Sequence, residues 1–287
     1  MRANVADYSL IAPPTLTATL EILARDSSLY TPIAGGTELM VALSANRLAQ
    51  KNFLSIKHLT ELRFIDATPD AITIGSGTTF TDIRRHAVIA TDLPLLNQAA
   101  SWTGSIANQN RGTLGGNIVN ASPAADSPPA LLAYDATVTL VSATGTRTIP
   151  YRDFHLGYKK TVLRPDELLY SIKIKRNFGG YITYTRKVGT RNAQAISKVA
   201  LACLALLDNG VVRDIRIGAA SLHETPIRGT ATEQSILNQP ITPSTIAAAR
   251  AALATEVRPI DDIRSTAKYR ATVAANLLEE FLRTLMR

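Results

Sequence analysis

The sequence predicts an α+β protein of two domains, and three patterns along its 287 residues support this fold class. A short apolar strand at 31–34 leads into a glycine turn and a helical pattern at 37–47, which together predict an α/β unit. Apolar hairpins and short helices then continue to residue 176. Beyond a glycine pair at 179–180, strand patterns are followed by helical ones, which predicts a second α+β layer pair.

The elements of the first lobe, residues 1–56, follow from local signals. Thr15 is a candidate N-cap for a helix that ends near Asp26 and has leucines every three or four residues. The strand, glycine turn and helix at 31–47 come next, and 53–56 predicts another strand. A helix that starts at a glycine turn directs backbone N–H groups into that turn, which favours anion binding.

The second lobe, residues 57–176, is predicted to contain hairpins and helices around a glycine-rich segment. Its elements are a hairpin at 64–74, helices at 79–90 and 93–102, the glycine-rich segment at 111–126, a hairpin at 137–149 and a strand at 166–174. Asn177, Phe178 and the following glycine pair predict the domain boundary.

The second domain, residues 177–287, has a simpler pattern. Its predicted elements are strands at 181–184, 195–207 and 211–217, with a hairpin turn at 208–210, and helices at 242–256 and 266–285.

Two glycine-rich segments predict a binding site. Residues 111–126 contain three glycines, two asparagines, a serine, a threonine and one acid, and 33–39 combine an apolar approach with two glycines and a hydroxyl. Glycines let a backbone approach a ligand closely, and consecutive N–H groups in such turns cradle phosphate oxygens. Two such loops suit a ligand with two phosphates, such as a dinucleotide. Each loop alone is also typical of an ordinary tight turn, and neither matches the Rossmann or P-loop motif.

The reactive side chains predict neither a catalytic residue nor a metal site. The single Cys203 lies among apolar residues, which predicts a buried thiol and excludes a disulfide framework or a cysteine-built cluster. The four histidines are scattered without metal-ligand spacing. No serine or cysteine stands beside a convincing base, and no pair of buried carboxylates is evident.

Charge and hydropathy restrict the classes of molecule that this protein is expected to bind. The formal net charge is +8, but the basic residues are spread along the chain, which favours docking to an acidic partner or attraction of an anionic cofactor over nucleic-acid binding. The sequence shows no signal peptide and no apolar run of the ~18–20 residues that a membrane span needs. We therefore expect a cytoplasmic protein without membrane insertion.

At these glycine segments the sequence closely resembles a known family, the FAD-binding medium subunits of the molybdenum hydroxylases, which include xanthine dehydrogenase-like and carbon monoxide dehydrogenase-like enzymes. The resemblance covers essentially the whole chain, and it is carried by AGGTEL at 34–39, NRGTLGGN at 110–117 and ASPAAD at 121–126. It implies a two-lobed FAD-binding domain of the vanillyl-alcohol-oxidase (PCMH) type over 1–176. A C-terminal α+β domain of the CO dehydrogenase flavoprotein type would follow over 177–287.

The resemblance also assigns cofactor-binding roles by position. The first pyrophosphate loop is matched by Ile33, Ala34, Gly35, Gly36, Thr37, Glu38 and Leu39, and the second by Thr113, Leu114, Gly115, Gly116 and Asn117. Asp126 matches an acid at the adenosine side, although its position also suits an N-cap for the helix that follows. Leu169 matches an apolar contact near the flavin ring. Lys187 matches a lysine beside the ring, where a cation would stabilise a reduced flavin.

Two departures from the family pattern limit the roles that the resemblance implies for this chain. Relatives often have Gln-Ile-Arg-Asn-Arg-Gly-Thr before the double glycine, whereas residues 107–113 read ANQNRGT and lack the first arginine. Some members also carry a cysteine-rich insertion for an extra iron–sulfur cluster, which a chain with only Cys203 cannot hold.

The function implied by the resemblance is electron transfer. The chain would bind FAD and pass electrons from iron–sulfur clusters to a final acceptor, while substrate is oxidised on a partner polypeptide. The implied partners are a molybdopterin-binding large subunit and a small subunit with 2Fe–2S clusters, assembled as a dimer of heterotrimers. The alternative is a self-contained FAD-dependent oxidase or dehydrogenase, which would need a general base or substrate pocket within this chain.

Overall fold

The first lobe is a small parallel sheet with two helices, in a computed structural model that describes residues 4–286. Its elements are β1 (Ser9–Ile11), α1 (Leu16–Asp26), β2 (Thr31–Ile33), α2 (Thr37–Ser44) and β3 (Asn52–Ser55). The strand order is β1-β3-β2, and both pairings are parallel. The predicted cap of α1 is confirmed, because the Thr15 hydroxyl accepts a hydrogen bond from the N–H of Ala18 at 3.1 Å.

The second lobe is built on an antiparallel sheet with the strand order β4-β5-β10-β6-β7. Its elements are β4 (Ile65–Ala67), β5 (Ala71–Gly75), α3 (Phe80–Arg85), α4 (Ala87–Asp92), α5 (Pro94–Trp102), α6 (Ile106–Gln109), α7 (Leu114–Val119), α8 (Pro128–Ala133), β6 (Thr137–Ser142), β7 (Gly145–Pro150), β8 (His155–Gly157), β9 (Lys160–Thr161) and β10 (Leu168–Lys175). Both predicted hairpins are present, as β4–β5 and β6–β7.

One predicted helix of the second lobe is divided. The sequence predicts a continuous helix at 79–90, but His86 has an extended backbone with φ −80° and ψ 117°, which separates α3 from α4. The bend lets Ile83 of α3 and Ile89 of α4 both be fully buried in the same core, which apolar periodicity alone cannot reveal.

The second domain consists of an antiparallel sheet, in the order β11-β12-β13-β14, and helices that follow it. Its elements are β11 (Ile182–Val188), β12 (Val199–Asp208), β13 (Val211–Ala220), β14 (Ile227–Arg228), α9 (Thr230–Ile236), α10 (Pro243–Glu256) and α11 (Ala267–Thr284). The predicted order of strands before long helices is confirmed, although β12 begins at Val199 and not at 195.

Strand β12 is buried on both faces, which explains its unbroken apolar sequence. Leu201, Cys203 and Ala205 pack in the core formed with α10 and α11. Ala202 and Leu204 belong to the core of the second lobe. The sheet of the second domain is therefore a middle layer, and the prediction of a buried thiol at Cys203 is confirmed.

The second domain and the second lobe are in direct backbone contact. A Cβ on Gly218 of β13 would lie only 2.0 Å from the carbonyl oxygen of Pro129 in α8, so only glycine fits this position. Beside this contact, Asp135 receives charged hydrogen bonds from Arg216 at 2.7 Å and from Arg228 at 2.6 Å. These contacts fix the sheet against the lobe that precedes it. Within residues 4–286, no helix combines the length and the apolar character needed to cross a membrane.

Candidate functional site

A cavity of about 550 Å³ lies where the two lobes meet, and every residue that lines it falls between Thr31 and Leu169. Eleven of the cofactor-binding residues predicted from the sequence lie on its lining: Ala34, Gly35, Gly36, Thr37, Glu38, Leu39, Thr113, Gly115, Gly116, Asn117 and Leu169. The other four predicted residues, Ile33, Leu114, Asp126 and Lys187, lie outside the lining. The structure thus brings the two glycine segments to one cavity although 76 residues separate Gly35 from Arg111, which contact each other.

The first glycine segment presents free backbone donors to this cavity. Gly36 has φ +72° and begins α2 without a side-chain cap. Among the described residues, no hydrogen-bond acceptor pairs with the backbone N–H groups of Gly35, Gly36, Thr37, Glu38 or Leu39. A left-handed residue followed by the first turn of a helix directs such N–H groups to one point, which is the geometry that binds phosphate oxygens.

The second glycine segment has a different structure from the predicted turn. Gly115 and Gly116 lie in the first turn of α7, whose N-cap is Thr113. The N–H of Leu114 donates to Thr78 O, that of Gly115 to Ser76 O, and that of Gly116 to Thr113 Oγ1. The expectation of consecutive free backbone N–H donors in both loops is therefore wrong for the second one, because the N–H groups of Leu114, Gly115 and Gly116 are already paired.

Close packing against neighbouring atoms requires glycine at two positions of the lining, Gly35 and Gly115. A Cβ on Gly35 would lie 2.0 Å from the carbonyl oxygen of Arg111, so the two segments touch through their backbones. A Cβ on Gly115 would lie 2.5 Å from Cβ of Ser76. Gly116 differs, because a Cβ there would meet only Thr113 Oγ1, at 3.0 Å. Gly116 is exposed and leaves open space in the cavity.

Side-chain amides supply the donors of the second segment. Asn117 Oδ1 accepts from Ser127 Oγ at 2.6 Å, and Asn120 Oδ1 accepts from Lys159 Nζ at 2.5 Å. Within the part of the chain that the structure describes, these contacts leave both amide NH₂ groups available at the cavity. The sequence analysis did not select Asn120, although it belongs to the same segment. Lys159 stands in a separate hairpin, and no local signal indicates its contact.

Two of the predicted residues that do not line the cavity support its wall. Leu114 is completely buried in the core of the second lobe. The side chain of Ile33 lies beneath the first loop, with Cδ1 3.4 Å from the position of a Cβ on Gly36. Both residues pack behind the loops from within the protein.

Asp126 and Lys187 form a buried ion pair. Lys187 Nζ lies 2.7 Å from Asp126 Oδ2 and also donates to Trp102 O at 3.0 Å. Ser197 Oγ donates to Asp126 Oδ1 at 2.7 Å. Burial raises the pKa of the Asp126 carboxyl above its usual value, because the loss of solvation outweighs the lowering by Lys187 and Ser197. The alternative role of Asp126 as an N-cap is wrong, because Ser127 occupies that position before α8.

The ion pair is close to the cavity because Lys187 contacts the carbonyl oxygen of Trp102. The next two residues, Thr103 and Gly104, line the cavity. The ion pair also joins the two domains, because Asp126 precedes α8 whereas Lys187 lies on β11. No sequence signal indicates that Asp126 and Lys187 meet at this boundary.

The charged side chains on the lining are Glu38, Arg164 and Glu167. Glu167 is buried and bonded through both carboxylate oxygens to Arg147 at 2.7 Å, and this contact lowers the pKa of the Glu167 carboxyl. Glu38 is paired with Lys159 at 3.3 Å. No histidine lines the cavity, and no group of metal-ligating side chains occurs within the described residues. The cavity therefore resembles a binding site more than a site for acid–base catalysis.

Comparison with known proteins gives matches over almost the whole chain. The model of the FAD binding domain in molybdopterin dehydrogenase matches residues 6–175, and that of the CO dehydrogenase flavoprotein C-terminal domain matches residues 184–285.

Individual relatives agree with these family matches. The xanthine dehydrogenase FAD-binding subunit of Escherichia coli O157:H7 is 31% identical, with 89% of this chain and 88% of the relative covered. The glyceraldehyde dehydrogenase medium chain of Sulfolobus acidocaldarius is 29% identical over 93% and 94% of the two chains. Among solved structures, a chain of carbon monoxide dehydrogenase from Hydrogenophaga pseudoflava superimposes with a TM-score of 0.91 at 27% identity, over 95% of each chain.

Proposed function

This chain belongs to the family of FAD-binding subunits of the molybdopterin dehydrogenases, and we propose that it carries electrons between an iron–sulfur partner and a final acceptor. Bound FAD supplies the redox chemistry, and the protein binds it, orients it and excludes water. The observation that carries this proposal is the row of unpaired N–H groups from Gly35 to Leu39 at the cavity, within the described residues.

The residues present fit FAD. The cavity of about 550 Å³ is in the range of sites for ligands of this kind. Unpaired N–H groups in the first loop suit phosphate oxygens, and Gly116 leaves the space that a side chain would fill. We propose that the first loop holds the phosphates, that the amides of Asn117 and Asn120 donate to them or to the ribityl hydroxyls, and that Leu169 packs against the cofactor.

The predicted residues outside the lining have supporting roles in this proposal. Ile33 and Leu114 hold the two loops from behind. Asp126 and Lys187 act as a pair at the boundary between the domains, close to the wall that contains Thr103. The domain division that we propose is residues 1–176 for FAD binding and 177–287 for the second domain. The change from β10 to β11 across 176–181 supports this boundary.

We propose a molybdopterin-binding large subunit and a 2Fe–2S small subunit as partners, in a cytoplasmic dimer of heterotrimers. The names of the relatives, which are medium chains and FAD-binding subunits, support partners of this kind. The net charge of +8 suits docking to acidic surfaces. The cavity supports a carrier, because no histidine lines it and Glu167 is buried in an ion pair with Arg147.

The test uses the purified chain alone and together with its partners. We expect the chain to be yellow and to release FAD, and not FMN, on denaturation. In the assembled complex, the substrate of the hydroxylase should reduce the flavin, whereas in the isolated chain only chemical reductants should do so. Rapid reduction of the isolated chain by a small organic substrate would overturn the carrier proposal in favour of a self-contained oxidase. A colourless chain that cannot be reconstituted with FAD would overturn both.

A further inference from the structure

The loop between α10 and α11 presents apolar side chains to solvent. Among the described residues, Ile263 has the most exposed large apolar side chain, with an exposed fraction of 105%. Ile260 in the same loop and Tyr269 in the first turn of α11 are also exposed. Single exposed apolar residues are common on protein surfaces, but a group of them on one face marks an interaction surface.

The backbone that carries Ile263 is fixed. The N–H of Asp262 donates to Ser265 O at 3.0 Å, and the N–H of Ser265 donates to Asp262 O at 3.2 Å. The carboxylate of Asp262 accepts from the N–H of Arg264 at 2.8 Å and from the buried guanidinium of Arg270 at 2.7 Å. The turn therefore has its conformation before a partner arrives, which lowers the entropic cost of binding through Ile263.

A second segment extends this surface. Arg270 Nη1 donates to Lys198 O at 2.9 Å, and Lys198 Nζ lies 5.4 Å from the centroid of the Tyr269 ring. These contacts bring the segment before β12 beside the first turn of α11, and Ile196 in this segment is exposed. We call the surface of Ile196, Ile260, Ile263 and Tyr269 the Ile263 face.

The charges around the Ile263 face are mainly positive. Lys198, Arg258 and Lys268 form no ion pair with a described residue, and the last two are exposed. The acids of the loop are Asp261, which accepts from a backbone N–H of α11, and Asp262, which is paired with two arginines. A two-fold contact between copies of this chain would bring the same cations together, so the charges favour a different, acidic partner.

A series of contacts leads from the Ile263 face to the cavity wall. Ser197, which follows Ile196, donates to Asp126 at 2.7 Å. Asp126 is paired with Lys187, which donates to Trp102 O at 3.0 Å, and the two residues after Trp102 line the cavity. Electron transfer slows steeply with distance, so a protein that delivers electrons to a cofactor in this cavity must bind close to its wall. The Ile263 face is a surface of this kind.

We propose that the Ile263 face binds the iron–sulfur partner, with Ile263 inserted in an apolar pocket of that partner and the surrounding cations paired with its carboxylates. This inference rests on the proposed function, because it assigns the surface that receives the electron donor. One well-packed apolar anchor at the centre of an interface supplies much of the affinity, and complementary charges at the rim set orientation and association rate.

The first test uses the complete complex, co-expressed with a purification tag on this chain. Ile263→Asp should raise the apparent Kd for the iron–sulfur partner at least about tenfold, because a carboxylate would replace the apolar anchor beside acidic groups. Size-exclusion chromatography over a dilution series, with iron content as the readout, measures this change. The flavin content should not change, since Ile263 does not line the cavity.

The matched control is Leu29→Asp. Leu29 is an exposed apolar residue in the turn after α1 of the first lobe, and the variant should leave the complex intact. Reduction of the flavin by substrate should slow in Ile263→Asp as the complex dissociates, whereas reduction by chemical reductants should not. An intact Ile263→Asp complex with an unchanged rate of flavin reduction by substrate would overturn the inference. Equal dissociation of the Leu29→Asp complex would also overturn it.

A second test identifies the molecule that covers the face. Cys203, the only cysteine of the chain, is buried, so the thiol introduced by Lys268→Cys can be labelled selectively with a photoreactive group. Illumination of the labelled complex should attach this chain to the iron–sulfur subunit. Attachment to the molybdopterin-binding subunit or to a second copy of this chain would overturn the assignment. An unchanged chain that binds no flavin and forms no complex would instead contradict the proposed function.

Discussion

Lys187 Nζ lies 2.7 Å from Asp126 Oδ2, and this ion pair joins the second domain to the FAD-binding region while both side chains are about nine-tenths buried. The carboxylate of Asp126 thus balances the positive charge of Lys187 at the boundary of the domains. Ser197 donates a second hydrogen bond to the same carboxylate. The charges of a close ion pair largely cancel, so the intact pair has little net effect on the reduction potential of a nearby flavin. Removal of one partner leaves the charge of the other unbalanced.

Lys187→Ala should lower the reduction potential of the flavin. The substitution leaves the buried Asp126 carboxyl without its cation, and at a pH high enough to keep this carboxyl ionised, although burial raises its pKa, its negative charge near the cofactor disfavours the addition of electrons. A redox titration of the purified FAD-loaded chain measures the effect. The control is the double variant Lys187→Met with Asp126→Asn, which removes both charges and should return the potential toward that of the unchanged protein. A potential that is the same in all three proteins would place the pair too far from the flavin to matter.

The stability of the second domain should depend on Asp262 in acid. Partial burial raises the pKa of its carboxyl, but hydrogen bonds and charges from Arg264 and Arg270 lower that pKa more strongly, to about 2. Since the pKa in the folded state is below the usual 3.8, the stabilisation is complete above pH 3.8 and is lost as the pH falls through about 2.

We therefore expect Asp262→Asn to lower the free energy of unfolding by about 2–3 kcal/mol at pH 6, because Arg270 is left buried without its anion. Urea denaturation of both proteins at pH 6 and pH 2.5 checks this prediction. The difference between them should shrink at the lower pH. A difference that does not change with pH would mean that the hydrogen bonds of Asp262 matter and its charge does not.

The sequence predicts the long elements of the fold well because their signals are local. The Thr15 cap, the hairpin turn at 208–210 and the helical pattern of α11 are all visible in a few consecutive residues. Strands β1, β8, β9 and β14 escape prediction because two or three residues cannot display a period. The equally short β2 and β4 are predicted from the turns beside them and not from a period.

The site is less predictable, since its features depend on contacts between distant segments. The glycine pair in the first loop and that in α7 look alike in sequence, but only the first retains unpaired N–H groups among the described residues. The pairing of Asp126 with Lys187 spans 61 residues, and that of Asp126 with Ser197 spans 71. Neither pairing has a sequence signal, because each depends on how the two domains pack.

Gly35→Ala should disrupt the contact between the two loops. A Cβ at Gly35 would lie 2.0 Å from Arg111 O and 2.6 Å from the carbon of that carbonyl group, so the backbones would have to separate. We expect a loss of at least about 2 kcal/mol in the free energy of unfolding, together with loss of FAD. Gly36→Ala is the comparison, since it meets only side-chain atoms and adds the cost of a left-handed φ, about 1–2 kcal/mol. A smaller loss for Gly35→Ala than for Gly36→Ala would contradict the backbone contact.

Gly116→Val tests the cavity with little disturbance of its walls, because only the Thr113 hydroxyl must move slightly to admit the new side chain. Gly116 is exposed in the first turn of α7, and among protein atoms a Cβ there meets only Thr113 Oγ1, at 3.0 Å. Its φ is not in the left-handed region, so valine can adopt the backbone conformation. The added side chain enters the space that we assign to the cofactor. We therefore expect FAD affinity to fall at least about tenfold, or about 1.4 kcal/mol, while the free energy of unfolding of the flavin-free chain changes little.

The matched control for Gly116→Val is Gly179→Val. Gly179 lies in the segment between β10 and β11, has no heavy atom within 4 Å of an added Cβ, and is also outside the left-handed region. Valine at this position should leave the FAD content unchanged. Titration of the flavin-free proteins with FAD, followed by flavin fluorescence, gives the affinities, and urea denaturation gives the stabilities. If Gly116→Val retains full affinity, the cofactor does not approach α7 at this point, and the phosphates must be held by the first loop alone.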